Sequence, residues 1–104
     1  MTRKQIIADC KEILMNHYGP QFHGLYLYGS TARGDAEDTS DIDLLVLLSK
    51  PFDYFVELRQ IINLLYPQQL ESRYLISAKP VAVDEFEAGN IQLYRNAKQE
   101  GVAA

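Results

Sequence analysis

The residues best suited to chemistry lie between positions 29 and 43. Gly29-Ser30 ends an apolar run, Leu25 to Tyr28, and the aspartates Asp41 and Asp43 open a second apolar run, Leu44 to Leu48. Because successive side chains of a strand point to opposite faces, two aspartates separated by one residue share a face. Adjacent carboxylates repel each other and are costly to desolvate, so a buried pair needs a cation or shared protons. The spacing therefore predicts a cation site at the start of a strand.

The residues around this acid pair favour a divalent metal and a phosphate. Oxygen ligands suit Mg²⁺ or Mn²⁺, which proteins often hold with one or two carboxylates and substrate phosphates. Gly29 allows the backbone to approach a ligand closely, and Ser30 offers a hydroxyl and an N–H near a predicted helical turn. The pattern predicts phosphoryl or nucleotidyl transfer. The structural alternative is a β-hairpin with a polar loop and an acidic strand start.

The elements that must position these residues can be read from hydrophobic spacing. Residues 24–28 are predicted as a first strand and residues 41–48 as a second, which should be central because it is apolar on both faces beyond Asp43. A first helix is predicted to begin with a Thr2–Gln5 capping box and to end at Gly19-Pro20. The other predicted elements are a second helix from Ser49-Lys50-Pro51 to Pro67 with Phe55, Leu58, Ile61, Ile62 and Leu65 buried, a third strand over 70–77, a loop or edge over 78–87 and a last helix over 90–99.

Composition limits the classes of function. The 104 residues are expected to form one domain, and the formal charge of −4 disfavours a broad nucleic-acid surface. Cys10 is the only cysteine and lies on the apolar stripe of the first helix, so it is expected to be buried. No signal peptide or membrane-spanning segment is predicted, so we expect a cytoplasmic location. His17 and His23 are interpreted as structural or solvent-facing rather than as a metal pair.

With these motifs, the sequence resembles the minimal nucleotidyltransferases of the polymerase-β-like nucleotidyltransferase superfamily. Gly29-Ser30, ten intervening residues and Asp41-Ile42-Asp43 match the signature of that superfamily. The resemblance implies an α+β fold, a small mixed β-sheet flanked by helices, over the single domain 1–104. The residues that fit the fuller minimal-nucleotidyltransferase pattern are Ser30, Ala32, Arg33, Gly34, Ser40, Asp41, Asp43 and Leu44.

The resemblance also implies a mechanism. ATP would be the nucleotide donor, and Asp41 and Asp43 would hold two Mg²⁺ ions, with Mn²⁺ as an alternative. Gly29 and Ser30 would bind the phosphates, as would Arg33, for which a surface ion pair is the competing interpretation.

A third carboxylate is implied on the neighbouring strand, as a metal ligand or proton acceptor. Glu71, at the start of the predicted third strand, is the chosen residue. Asp84 is the second choice, and a surface glutamate is the competing interpretation of Glu71.

Among minimal nucleotidyltransferases, the resemblance points to the antitoxin of a two-gene system. Such an enzyme transfers AMP from ATP to a tyrosine of a partner HEPN ribonuclease toxin and binds that partner. Three alternatives stay open: transfer to the hydroxyl of a small molecule, a binding-only antitoxin without turnover, and a degenerate domain that binds nucleotide without reacting it. Neither direct nucleic-acid binding nor a membrane partner is expected.

Overall fold

The structure is a computed structural model that describes residues 2–28, 41–89 and 102–104. Its described elements include both helices and strands. In chain order they are α1 (Arg3–Tyr18), a 3-10 turn (Gly19–Gln21), β1 (Phe22–Tyr28), β2 (Ile42–Leu48), α2 (Tyr54–Glu71), β3 (Ile76–Ala82), α3 (Val83–Ala88) and β4 (Val102–Ala103).

The strands form one mixed sheet in the order β3-β2-β1-β4. Strand β1 runs antiparallel to both β2 and β4, whereas β3 runs parallel to β2. Strand β2 therefore has a partner on each side, which confirms its predicted central position. The mixed sheet with flanking helices also confirms the predicted α+β class.

Helix α1 begins and ends as its sequence predicts. The Thr2 side-chain oxygen accepts a hydrogen bond from the Gln5 backbone N–H at 3.1 Å, which satisfies one of the free donors of the first turn. Gly19 ends the helix at a φ of 54°, a conformation that glycine adopts without strain. Its buried residues are Ile6, Cys10, Leu14 and Tyr18, whereas His17 is exposed.

Helix α2 differs from the prediction at both ends. It begins at Tyr54, after Asp53, whose side chain accepts from the Val56 N–H at 3.0 Å, and it passes through Pro67. In the turn beyond Pro67, the side-chain hydrogen bonds that the structure describes are those of Gln69.

The Gln69 side chain connects the end of α2 to the next strand. Its amide donates to the Tyr74 carbonyl at 2.8 Å and its oxygen accepts from the Ile76 N–H at 2.7 Å. These bonds offset the backbone hydrogen bond that Pro67 cannot make. The buried side of α2 is also narrower than predicted: Ile61 and Leu65 are buried, but Phe55 and Ile62 are exposed.

The third strand lies further along the chain than predicted. Residues 70–77 were expected to be extended, but α2 continues to Glu71 and β3 spans Ile76–Ala82. Much of the stretch 78–87, predicted as a loop or edge, is therefore the edge strand β3 and the short helix α3. Pro80 is tolerated in β3 because β3 is an edge strand. The predicted last helix over 90–99 falls outside the described residues.

The two faces of the sheet carry different side chains. The helix face, covered by α1 and α2, is apolar along β2, where Ile42, Leu44, Val46 and Leu48 are fully buried. The second face carries the alternate residues of the same strands. On it, Leu45 and Leu47 pack under Phe86 of α3 in a second apolar cluster.

None of the helices in the described part of the chain has the length and apolar character needed to cross a bilayer. Cys10 is fully buried in the helix-face core, as predicted. Burial, and secondarily the charge of Asp9, raises the pKa of the Cys10 thiol to about 11, so that this side chain is neutral near pH 7.

Candidate active site

The two aspartates lie at the edge of the sheet where β2 begins. Ile42, between them, is fully buried on the helix face and its N–H donates to the Leu75 carbonyl at 2.8 Å. This anchor fixes the chain at the start of β2, so that Asp43 points to the second face. Asp41 precedes the strand and is exposed, whereas Asp43 is half-buried.

The surroundings of Asp43 disfavour its negative charge, and a bound cation would compensate for this. Its pKa lies above the ordinary range for an aspartate, first because burial penalises the charged form and second because the charge of Asp41 repels it. Lys79 partly offsets both effects. Two coupled carboxylates with an unfavourable charge form the kind of oxygen donor set that suits Mg²⁺.

Two further strands contribute side chains to the same end of the second face. Tyr28, the last residue of β1, pairs with Asp43 in the antiparallel register. On the other side, Ser77 of β3 pairs with Asp43 in the parallel register. The Lys79 ammonium lies 5.9 Å from the centre of the Tyr28 ring. An aromatic ring, a carboxylate and a cation thus lie on three neighbouring strands.

The sequence analysis missed Ser77 and Lys79. Their signal was the alternation of polar and apolar residues in Ser77-Ala78-Lys79-Pro80, which is typical of a strand with one polar face. Because the third strand was predicted to end at residue 77, this alternation was attributed to a loop. Correct bounds for β3 would have brought both residues to the site.

Glu71 does not lie on the strand next to β2, which corrects its predicted position. It is the last residue of α2 and is exposed. The residue of β3 level with Asp43 is Ser77, which is not a carboxylate. Asp84, the second choice, lies in α3 beyond the opposite end of β3 and faces the Lys50 ammonium at 3.6 Å.

The acids that the structure places at the start of β2 are Asp41 and Asp43. Within 2–28, 41–89 and 102–104, histidine, cysteine and carboxylate side chains form no cluster of three or more suited to a metal ion. The predicted phosphate-binding residues Gly29, Ser30 and Arg33 lie outside the described residues. Tyr28, which precedes these residues, and Asp41, which follows them, lie at the same edge of the sheet.

Comparison with known proteins identifies the family and the fold. A family model described as "Polymerase beta, Nucleotidyltransferase" matches residues 8–103. A protein of Methanocaldococcus jannaschii named "Putative protein adenylyltransferase MJ0604" is 34% identical over 58 residues. That match covers 56% of this chain and 58% of the relative, so the chain matches little more than half of the relative's length.

Two solved structures share the fold at low sequence identity. One is the toxin–antitoxin MntA–HpeT in a mutant form, with a TM-score of 0.61, 17% identity and coverage of 100% of this chain and 72% of that chain. The other is a toxin–antitoxin with AMP-PNP, with a TM-score of 0.58, 16% identity and coverage of 98% and 72%.

Proposed function

We infer the function from the family, because this chain belongs to the polymerase β nucleotidyltransferase family. We propose that it is an antitoxin that transfers AMP from ATP to a tyrosine of a partner HEPN ribonuclease toxin. The observation that carries the proposal is the coupled pair Asp41 and Asp43 at the start of β2. A pair whose inner member is unfavourably charged is poised to hold a metal–triphosphate substrate.

Three observations support the choice of donor and acceptor. A relative that matches part of this chain is named as a protein adenylyltransferase. A protein of the same fold is a toxin–antitoxin with AMP-PNP, an analogue of ATP. Helix α2 also exposes large apolar side chains seven, four and four residues apart, namely Phe55, Ile62, Tyr66 and Leu70. Exposed apolar groups on one side of a helix are typical of a surface that contacts another protein.

In the proposed reaction, the tyrosine oxygen of the partner forms a bond to the α-phosphorus of ATP and gives up its proton to solvent. The bond from that phosphorus to the oxygen bridging to the β-phosphorus breaks, and pyrophosphate leaves with its electron pair. Asp41 and Asp43 would hold magnesium, which supplies positive charge to the triphosphate when bound. Gly29, Ser30 and Arg33 are proposed to bind phosphate oxygens. Ile42 holds the two carboxylates in position, because its side chain is anchored in the core between them.

Labelled ATP provides the test. The protein is incubated with ATP labelled at the α-phosphate, Mg²⁺ and the product of the neighbouring gene, and the partner is analysed for transferred label. We expect label on the partner, its loss when the acceptor tyrosine of the partner is replaced by phenylalanine, and its loss in the double variant Asp41→Asn/Asp43→Asn. Asp84→Asn is the matched control, because it removes an exposed carboxylate from the far end of the sheet.

The alternatives give different results in this assay. Tight binding of the partner without label would favour an antitoxin that acts by binding alone. Label on a small hydroxyl compound but not on the protein would favour a small-molecule acceptor. Label that survives the double aspartate change would contradict the assignment of the metal ligands.

A further inference from the structure

We propose that Lys79 is a phosphate-binding residue of this site, whose ammonium group contacts the triphosphate of the nucleotide above the second face of the sheet. This inference rests on the proposed function and adds a residue to it. It follows from where Lys79 lies in the sheet, how far its side chain reaches and which charges surround it.

The parallel register brings Lys79 to the face that carries Asp43. Lys79 pairs with Leu45 of β2, and Ser77 pairs with Asp43, so Lys79 lies two residues further along the same face. Leu45 belongs to the apolar cluster under Phe86. Lys79 therefore stands at the boundary between the apolar half of the second face and the half that carries the acid.

The side chain of Lys79 reaches back toward the acidic edge. Strand β2 separates β3 from β1, yet the Lys79 ammonium lies 5.9 Å from the centre of the Tyr28 ring on β1. Tyr28 is the register partner of Asp43. The ammonium group thus lies across β2, toward the register level of Asp43.

The surrounding charges leave the Lys79 ammonium suited to an anion. Within the described residues no carboxylate lies within ion-pair distance of it, whereas Lys50 contacts Glu85 at 2.6 Å and Asp84 at 3.6 Å. Lys79 influences Asp43 through the charge of its ammonium group. A triphosphate brought to two carboxylates carries more negative charge than two Mg²⁺ ions neutralise, and the half-buried Lys79 offers a further positive charge on the same face.

Nucleotide binding tests the inference without requiring turnover. Affinity for AMP-PNP with Mg²⁺ is measured by calorimetry for the wild type and for Lys79→Gln, Lys79→Met and Lys79→Arg. We expect the two neutral variants to bind about 10-fold or more weakly, since a charge-assisted contact contributes about 1.5 kcal/mol or more. Lys79→Arg should stay within about threefold of the wild type, because it keeps the charge. Lys50→Gln is the matched control and should bind as the wild type does.

The outcomes separate this inference from the function on which it rests. A wild-type protein that binds no nucleoside triphosphate would overturn the proposed function and the role of Lys79 together. Normal binding by the wild type and by both neutral variants would overturn the role of Lys79 alone. Equal weakening by Arg and Gln, with unchanged thermal unfolding, would likewise overturn a role based on charge. Lys79→Met keeps an unbranched apolar side chain and removes the charge. It therefore distinguishes loss of charge from loss of packing against Tyr28.

Discussion

The two faces of the central strand β2 differ in the burial and the charge of their side chains. On the helix face, Ile42, Leu44, Val46 and Leu48 are buried without interruption beneath two long helices. On the second face, one strand carries a half-buried carboxylate at its start and an apolar cluster at its end. Under the proposed function, the acidic start of the second face carries the chemistry, whereas the helix face of the same strand contributes to stability alone. Neighbouring residues should therefore respond to substitution in different ways.

The largest effect is expected for Asp43→Asn. AMP transfer to the partner should fall by about 100- to 1,000-fold, because the variant loses a charged oxygen that holds the metal–triphosphate substrate. Its free energy of unfolding should stay equal or rise, since burial and Asp41 both disfavour the charged form that is removed. Label transfer and urea denaturation measure the two quantities. A loss of stability as large as that of a core variant would contradict the division between the faces.

Leu44→Ala, one residue further along, should show the opposite pattern. Leu44 is fully buried on the helix face, and truncation of such a leucine costs about 3 kcal/mol in the free energy of unfolding. Urea denaturation with the slope held common measures this cost. Transfer measured well below the unfolding midpoint should be retained. Ser77→Ala, on the second face beside Asp43, is the control and should change stability far less.

The thiol of Cys10 reports on the integrity of the helix face. Its pKa of about 11, against an ordinary value of 9.0, lowers the thiolate fraction near pH 8 by about 100-fold, so iodoacetamide should react with the folded protein at least that much more slowly than with the chain in urea. Because the pKa of Cys10 is higher in the folded protein than in the unfolded chain, the neutral thiol favours the folded state below pH 9. This contribution to the free energy of unfolding is lost as the pH rises toward 11. Equal alkylation rates in the two states would show that the helix-face core does not cover Cys10.

Tyr18→Phe tests the contact between the two helices on the helix face. The Tyr18 hydroxyl of α1 donates to Glu57 of α2 at 2.9 Å, and its removal should cost about 1 kcal/mol. Burial and this hydrogen bond raise the pKa of Tyr18 above its ordinary value. Unfolding should therefore become easier for the wild type as the pH rises above 10, and the variant should lack this contribution. Identical alkaline unfolding curves would contradict it.

The smallest effect is expected for Glu71→Gln. Since Glu71 is exposed at the end of α2 rather than on β3, label transfer should match the wild type. The double variant with Asp43→Asn is the internal comparison, and it should behave as Asp43→Asn alone. A loss of label transfer comparable to that of Asp43→Asn would show that Glu71 contributes to the site.

The helix face could be predicted from periodicity because its residues repeat at regular intervals. Ile6, Cys10 and Leu14 follow helical spacing in α1, and the run after Asp43 identifies β2 as a central strand. The capping of α1 by Thr2 was equally visible. These features depend on residues near one another in the chain, which is why local patterns sufficed.

The errors around α2 and β3 arose where tertiary contacts outweigh local propensity. Pro67 was expected to end α2, yet hydrogen bonds from Gln69 to the following strand sustain the last turn. The stretch around Pro80 was predicted as a loop or edge, and it forms an edge strand, which tolerates a residue without an N–H. The proximity of Lys79 to Asp43 depends on strand register across the sheet, which hydrophobic spacing does not specify.

The six-residue length of α3 has a consequence for how the molecule fluctuates. A helix this short has almost no intrinsic stability, so its attachment depends on Phe86, whose side chain is fully buried against β2 and β3. It can detach as a unit while the rest of the domain remains folded. We therefore expect backbone amides of α3 to exchange with solvent deuterium through local opening, long before those of β2, whose protection requires global unfolding.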